Sequence, residues 1–124
     1  MNLYPFFKGM VDEDRCAVVV CSCEHEIIYM NPAAIGRYAK WGGEALVGKS
    51  LLECHNAASG KRIKEAVAWF LESRSHSRMY TYHNEKENKD VYMVALRDAD
   101  GNLIGYYEKH EYRDRETAAP YQGV

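Results

Sequence analysis

The sequence predicts an α+β domain, a five-stranded antiparallel sheet covered on one face by short helices and one longer helix, with an amphipathic helix ahead of it. Three observations carry this. Two short β-like runs stand near the start, a glycine-chopped middle ends in a long helical stripe, and three β-like runs succeed one another to the end. With 124 residues, 47% of them apolar, the chain has room for one core and one domain.

Residues 3–11 place Leu3, Phe6, Phe7, Met10 and Val11 at the i, i+3, i+4, i+7, i+8 spacing of an amphipathic helix, with Pro5 tolerated only near its start. "CAVVVCSC" (16–23) reads as a buried strand by length and β-branched content. A tight polar connection, "EHE", joins it to a second strand at 27–30, which makes a hairpin. Asn31-Pro32 then turns the chain sharply into a helix: Asn is a favoured N-cap, and Pro at the next position gives up an amide that would have stayed unpaired. Gly36, Gly42, Gly43 and Gly48 divide the next segment into short helical pieces. Ile63, Ala66, Val67, Phe70 and Leu71 restore the helical spacing and predict a helix over 60–74, capped by Ser59 or Asn56. Strands are expected at 77–85, 90–98 and 102–112, the first pair joined through "KENK" and the second by a tight turn at Asp100-Gly101. Residues 113–124 have no periodicity.

A net charge of −2 with interspersed signs gives no general attraction to nucleic acid or anionic lipid. No apolar run approaches the ~20 residues that span a bilayer, and the start lacks the pattern of a secretory signal, so the expected location is cytoplasmic. Cys16, Cys21, Cys23 and Cys54 then read as reduced thiols, and a C-x-C pair plus Cys54-His55 fits no standard zinc spacing, so no metal is expected. Catalysis is not expected either. Adjacent residues such as Cys54-His55 rarely form a nucleophile and base, and no G-x-S-x-G, phosphate loop or paired-carboxylate motif occurs.

The segments "IIYMNPAA", "LVGKSLLECHN" and "DADGNLIGYYEKHEYRDRET", in this order and spacing, resemble the PAS family of sensory domains over residues 12–117. The "CHN" before the long helix resembles bacterial subgroups of that family. The resemblance implies a helix at 1–11, a PAS domain at 12–117 and a tail at 118–124. It also implies a space between helices and sheet that holds a small molecule. It argues against two cofactors. The position of the cysteine that forms a flavin adduct is Leu51, and the long helix, where haem-binding members carry their histidine, has none; were haem present, His55 would be the first candidate ligand and His76 the second.

Pockets are commonly lined by aromatic and apolar side chains with a few placed polar groups. Tyr80 and Tyr82 are expected on one face of their strand and Tyr92, Val94 and Leu96 on one face of the next; with His55 and Asn31 they form the candidate ligand set. Glu108 and His110 point the same way, and the mixed charges around them favour a solvated strand face. The first helical stripe, Leu3, Phe6, Phe7, Met10 and Val11, must be covered by its own sheet or by a second subunit, and a homodimer is the expected arrangement. The functional expectation is a signal-sensing module that binds a small organic ligand and acts through dimerisation or an effector protein. The second reading is a ligand-free interaction or dimerisation domain.

Overall fold

The computed structural model describes residues 1–123. Along the chain come α1 (Tyr4–Asp12), β1 (Val18–Ser22), β2 (Ile27–Met30), α2 (Pro32–Arg37) and three 3-10 turns at Ala39–Trp41, Gly43–Leu46 and Leu51–Cys54. They are succeeded by α3 (Ala57–Glu72), β3 (Arg78–Asn84), β4 (Lys89–Arg97) and β5 (Leu103–Tyr112). All strand pairs are antiparallel and the sheet order is β2-β1-β5-β4-β3, so the five-stranded α+β architecture is as the sequence predicts. The last strand lies at the centre, between β1 and β4. Because β2 and β3 are opposite edges, the chain between them must cross the whole width of the sheet, and it does so as the helical layer.

That layer closes the core. Val19, Cys21, Ile27, Met30, Met93 and Tyr106 from the sheet pack against Ala34, Leu46, Leu51, Ile63, Ala66 and Phe70 above it. The expected stripe of α3 is buried at Ile63, Ala66, Val67 and Phe70, whereas Leu71 lies outside it. Of the two possible caps, Asn56 is used: its side chain accepts from the Ser59 amide at 2.9 Å, which starts the helix earlier than the apolar spacing alone indicates. At the other end, the Arg97 guanidinium donates to the carbonyls of Phe70, Ser73 and His76 at 2.7, 3.1 and 3.1 Å, satisfying acceptors that a helix C-terminus leaves free. Between β4 and β5 the turn is made at Asp98–Asn102 with Gly101 at φ +84°, as the Asp100-Gly101 pair predicts. Gly105, opposite Ser22, permits β5 and β1 to approach; a Cβ there would collide with the Cys21 carbonyl.

The Asn31 joint holds more than a helix start. Its fully buried side chain accepts from the amides of Ala34 (3.0 Å) and Val18 (2.9 Å), and its amide group donates to the carbonyls of Val11 (2.9 Å), Cys16 (2.9 Å) and Asp14 (3.3 Å). One side chain thereby ties the exit of α1, the entry of β1 and the start of α2.

Helix α1 buries none of its residues. Its polar side meets the sheet, where Asp12 pairs with Lys8 at 2.6 Å and accepts the hydroxyl hydrogen of Tyr29. The apolar stripe faces away, with Leu3 50%, Phe6 60%, Phe7 59% and Met10 71% exposed, so its own sheet is not what covers it. No helix among the described residues is long and apolar enough to cross a membrane.

Replacing Asn31 by Ala strands two amides and at least two carbonyls in a dry joint. At ~1–3 kcal/mol for each buried group left unpaired, Asn31→Ala is expected to lose about 3 kcal/mol or more, read as a lower urea midpoint at unchanged slope. A midpoint equal to the wild type's would refute this account of the joint.

Candidate functional site

Strand alternation decides what the helical layer covers. In the register of the sheet, Lys89 faces Tyr112, Val91 faces His110 and Met93 faces Glu108 across β4 and β5, while Asn84 and Tyr82 of β3 lie beside Lys89 and Val91. All of these except Tyr112 form the floor of a cavity of about 240 Å³. Its walls and roof are Arg37 and Tyr38 at the end of α2, Trp41 in the next turn, Cys54 and His55 before α3, and Ser59, Arg62 and Ile63 on α3.

The candidate ligand residues separate. Tyr82 and His55 line the cavity. Asn31 does not, because its side chain is spent on backbone groups. Tyr80 and Tyr82 do not share a face, since a bulge between them pairs Tyr80 with Tyr92 and Tyr82 with Val91. Tyr80 packs on Tyr92 across 5.3 Å between ring centroids on the outer face, and Arg78 lies 3.7 Å from the Tyr92 ring centre. By the same alternation Val94 and Leu96 point outward with Tyr92, one residue out of phase with Val91 and Met93. His76 sits at the far end of α3, stacked on Trp69 at 3.9 Å and donating to its carbonyl.

Glu108 and His110 are not on a solvated face. They are 4% and 7% exposed and form part of the cavity floor, because β5 is central and its inner side lies under the helices. Nε2 of His110 lies 3.2 Å from one Glu108 oxygen and Nε2 of His55 lies 3.8 Å from the other. The His55 ring is set by donation from Nδ1 to the Leu51 carbonyl at 2.9 Å. Burial pushes the Glu108 carboxyl up, but the His110 hydrogen bond and the charges of His110, His55 and Arg37 outweigh it and leave it below the ordinary carboxylate value.

Sequence reasoning missed the cations. Nη1 of Arg37 donates to both Glu87 oxygens at 3.0 and 3.3 Å, and Lys89, 1% exposed, reaches the same carboxylate at 3.3 Å without making a hydrogen bond. Burial, and then the Arg37 charge, hold the Lys89 amine below its usual range despite Glu87. Arg62 lies 5.7 Å from the Tyr82 ring centre. Among the described residues, four side-chain nitrogens are buried without a hydrogen-bond partner: Nε of Arg97, whose other nitrogens hold the end of α3, and Nε of Arg37, Nζ of Lys89 and Nδ1 of His110, which all belong to residues lining this cavity. Buried polar atoms are normally paired, so three orphans in one place mark a site. No group of three or more His, Cys, Asp or Glu side chains among the described residues is arranged to hold a metal.

Since the folded-state pKa of Glu108 lies below its ordinary value of 4.5, the stability it contributes is complete above that value and is lost as pH falls through the lowered one. Acidification from neutral pH to below 4.5 is therefore expected to destabilise the wild type more than Glu108→Gln, measured by urea unfolding at a series of pH values. Equal acid sensitivity in the two proteins would overturn the assignment.

Comparison with known proteins places this geometry. The sequence model of a family described as "PAS fold" matches residues 11–109. Among solved structures, a PAS domain from Colwellia psychrerythraea has 14% identity and a TM-score of 0.67, covering 90% of this chain and 97% of that one. The PAS domain of BvgS from Bordetella pertussis has 18% identity and a TM-score of 0.59, with 90% and 88% covered. A sensory box sensor histidine kinase from Vibrio cholerae has 16% identity and a TM-score of 0.58, with 87% and 90% covered. No curated protein matches the sequence. At such identities the structures speak for the fold alone, while the family match spans most of the chain: this chain belongs to the PAS family.

Proposed function

We propose that the protein is a cytoplasmic signal-sensing module that binds a small organic ligand between sheet and helices and passes the signal on through dimerisation or a partner protein. The observation that carries this is the gathering of three unpartnered buried nitrogens on the walls of one cavity. A volume of 240 Å³ lies under the ~300–1,000 Å³ of sites for drug-sized ligands; at ~30 Å³ per molecule it equals about eight waters. A compact ligand of few atoms fits; the wide rings of haem or flavin need the helical layer to move. The sensor kinase from Vibrio cholerae supports the sensory class and leaves the ligand open. Four free cysteines suit a reducing compartment.

Binding rather than catalysis is the reading for Cys54 and His55. Burial, then the charges of Glu53 and Glu108, raise the Cys54 thiol, which keeps it from the thiolate form that a nucleophile requires.

A second reading, a ligand-free dimerisation domain, rests on α1. Its exposed stripe is worth several kcal/mol if covered at about 25 cal/mol per Å², and a second copy related by a two-fold axis is the simplest cover. The two readings are separable. Native mass spectrometry of freshly purified protein is expected to release a stoichiometric small molecule; bare protein that also binds nothing from a metabolite extract would favour the second. Light scattering is expected to report a dimer for the wild type and a monomer for Phe6→Glu/Met10→Glu, and a dimer in both would remove α1 from the interface.

A further inference from the structure

The cavity is unevenly charged. Arg37, Arg62 and Lys89 line it, against Glu108 alone, in a chain whose net charge is −2. Glu108 accepts from Nε2 of His110 at 3.2 Å and lies 3.8 Å from Nε2 of His55. Outside the lining, one carboxylate, Glu87, serves two cations: it accepts from Nη1 of Arg37 with both oxygens and from the side-chain amide of Asn84 at 3.0 Å, and the Lys89 amine 3.3 Å from it forms no hydrogen bond. A side chain 1% exposed with an ammonium group left over is a large cost unless something else arrives to meet it. The third orphan has the opposite sense. An ionised Glu108 only accepts, so Nε2 of His110 carries the hydrogen of their contact, and in the neutral ring Nδ1 is a bare acceptor.

Resting on the ligand-binding reading above, we infer that the cavity takes a small organic carboxylate that also carries a hydroxyl or N–H hydrogen. Its carboxylate lies with Arg37 and Lys89, and its donor hydrogen goes to Nδ1 of His110. Lys89 and His110 are on adjacent rows of the same inner face, since His110 faces Val91 and Lys89 is two residues before it, so a compound of few atoms spans both. An apolar ligand would leave all three nitrogens unpaired, and a cationic one would meet three like charges. The depressed Lys89 amine agrees with a charge that is short of a partner when no ligand is present.

The test uses the full chain and four probes on one four-carbon frame, 3-hydroxybutyrate, butyrate, 1,3-butanediol and butylammonium, tracked through the methyl NMR signals of Ile63 and Met93. Saturable shifts are expected for 3-hydroxybutyrate, weaker ones for butyrate, and none for the diol or the amine. Lys89→Met should weaken 3-hydroxybutyrate about tenfold or more while raising the melting temperature of the free protein, because a buried ammonium that makes no hydrogen bond and shares its one carboxylate with Arg37 is replaced by an apolar chain of similar shape. A merely structural Lys89 would give a lower melting temperature and unchanged affinity, which refutes its role. Saturable binding of the diol or butylammonium without the carboxylates refutes the ligand class and leaves the ligand-binding reading standing. Equal affinities for 3-hydroxybutyrate and butyrate refute the part given to His110. Silence toward all four probes overturns the proposal, and a stoichiometric molecule of other chemistry released in native mass spectrometry would then show that the ligand-binding reading survives it.

Discussion

A chain that leaves a sheet at one edge and re-enters at the opposite edge must turn at once and then stay on one side, and here the turn is enforced by a single carboxamide. Asn31 accepts two amides and donates to carbonyls on either side of residue 15, so the end of α1, the first residues of β1 and the first turn of α2 are fixed relative to one another by one side chain. Only then can α2 and the turns after it lie low enough for Ala34, Leu46 and Leu51 to seal one half of the sheet. Over the other half, under the start of α3, the sheet presents Lys89, Glu108 and His110, and the helical layer stands off. The cavity is the part of the sheet that the apolar packing does not claim.

Charge inside that space is arranged in two layers of compensation. Glu108 is held ionised by two imidazoles and more distantly by Arg37, and its pKa records the balance between a costly burial and those neighbours. Lys89 is the reverse case, a cation whose burial is not repaid by its neighbours. Burying ions costs several kcal/mol each unless they are paired with good geometry, so a fold optimised for stability alone would place an apolar residue at position 89. Retaining a lysine there favours a binding role over a packing one.

Much of the fold was legible in the sequence because its signals are local. The Asn31-Pro32 joint, the Asp100-Gly101 turn and the buried stripe of α3 each lie within a few residues of the structure they specify. The site was less legible for three physical reasons. "DVYMVALRD" is apolar on both faces, so its phase, and with it the exclusion of Tyr92, Val94 and Leu96 from the cavity, is fixed only by pairing with β5. The bulge near Thr81 reverses the face of every residue after it, which brought Tyr82 in and left Tyr80 out. Glu108 and His110 sit among other charges, and nothing in "YEKHEY" announces that β5 is the central strand. Arg37 and Lys89 come from distant segments and acquire their meaning only when Glu87 brings them together.

The clamp made by Arg97 has a mechanical consequence. Helix α3 is bolted to the sheet at its C-terminal end by three carbonyl contacts and by the stacked pair Trp69 and His76, whereas its N-terminal end is capped from within by Asn56. A rod fixed at one end is a cantilever, and its compliance grows with distance from the support. The end farther from that support is the one carrying Ser59, Arg62 and Ile63 over the cavity. A deflection of that end would be resisted at the Arg97 anchor, where α3 meets the last residue of β4 beside the β4–β5 turn.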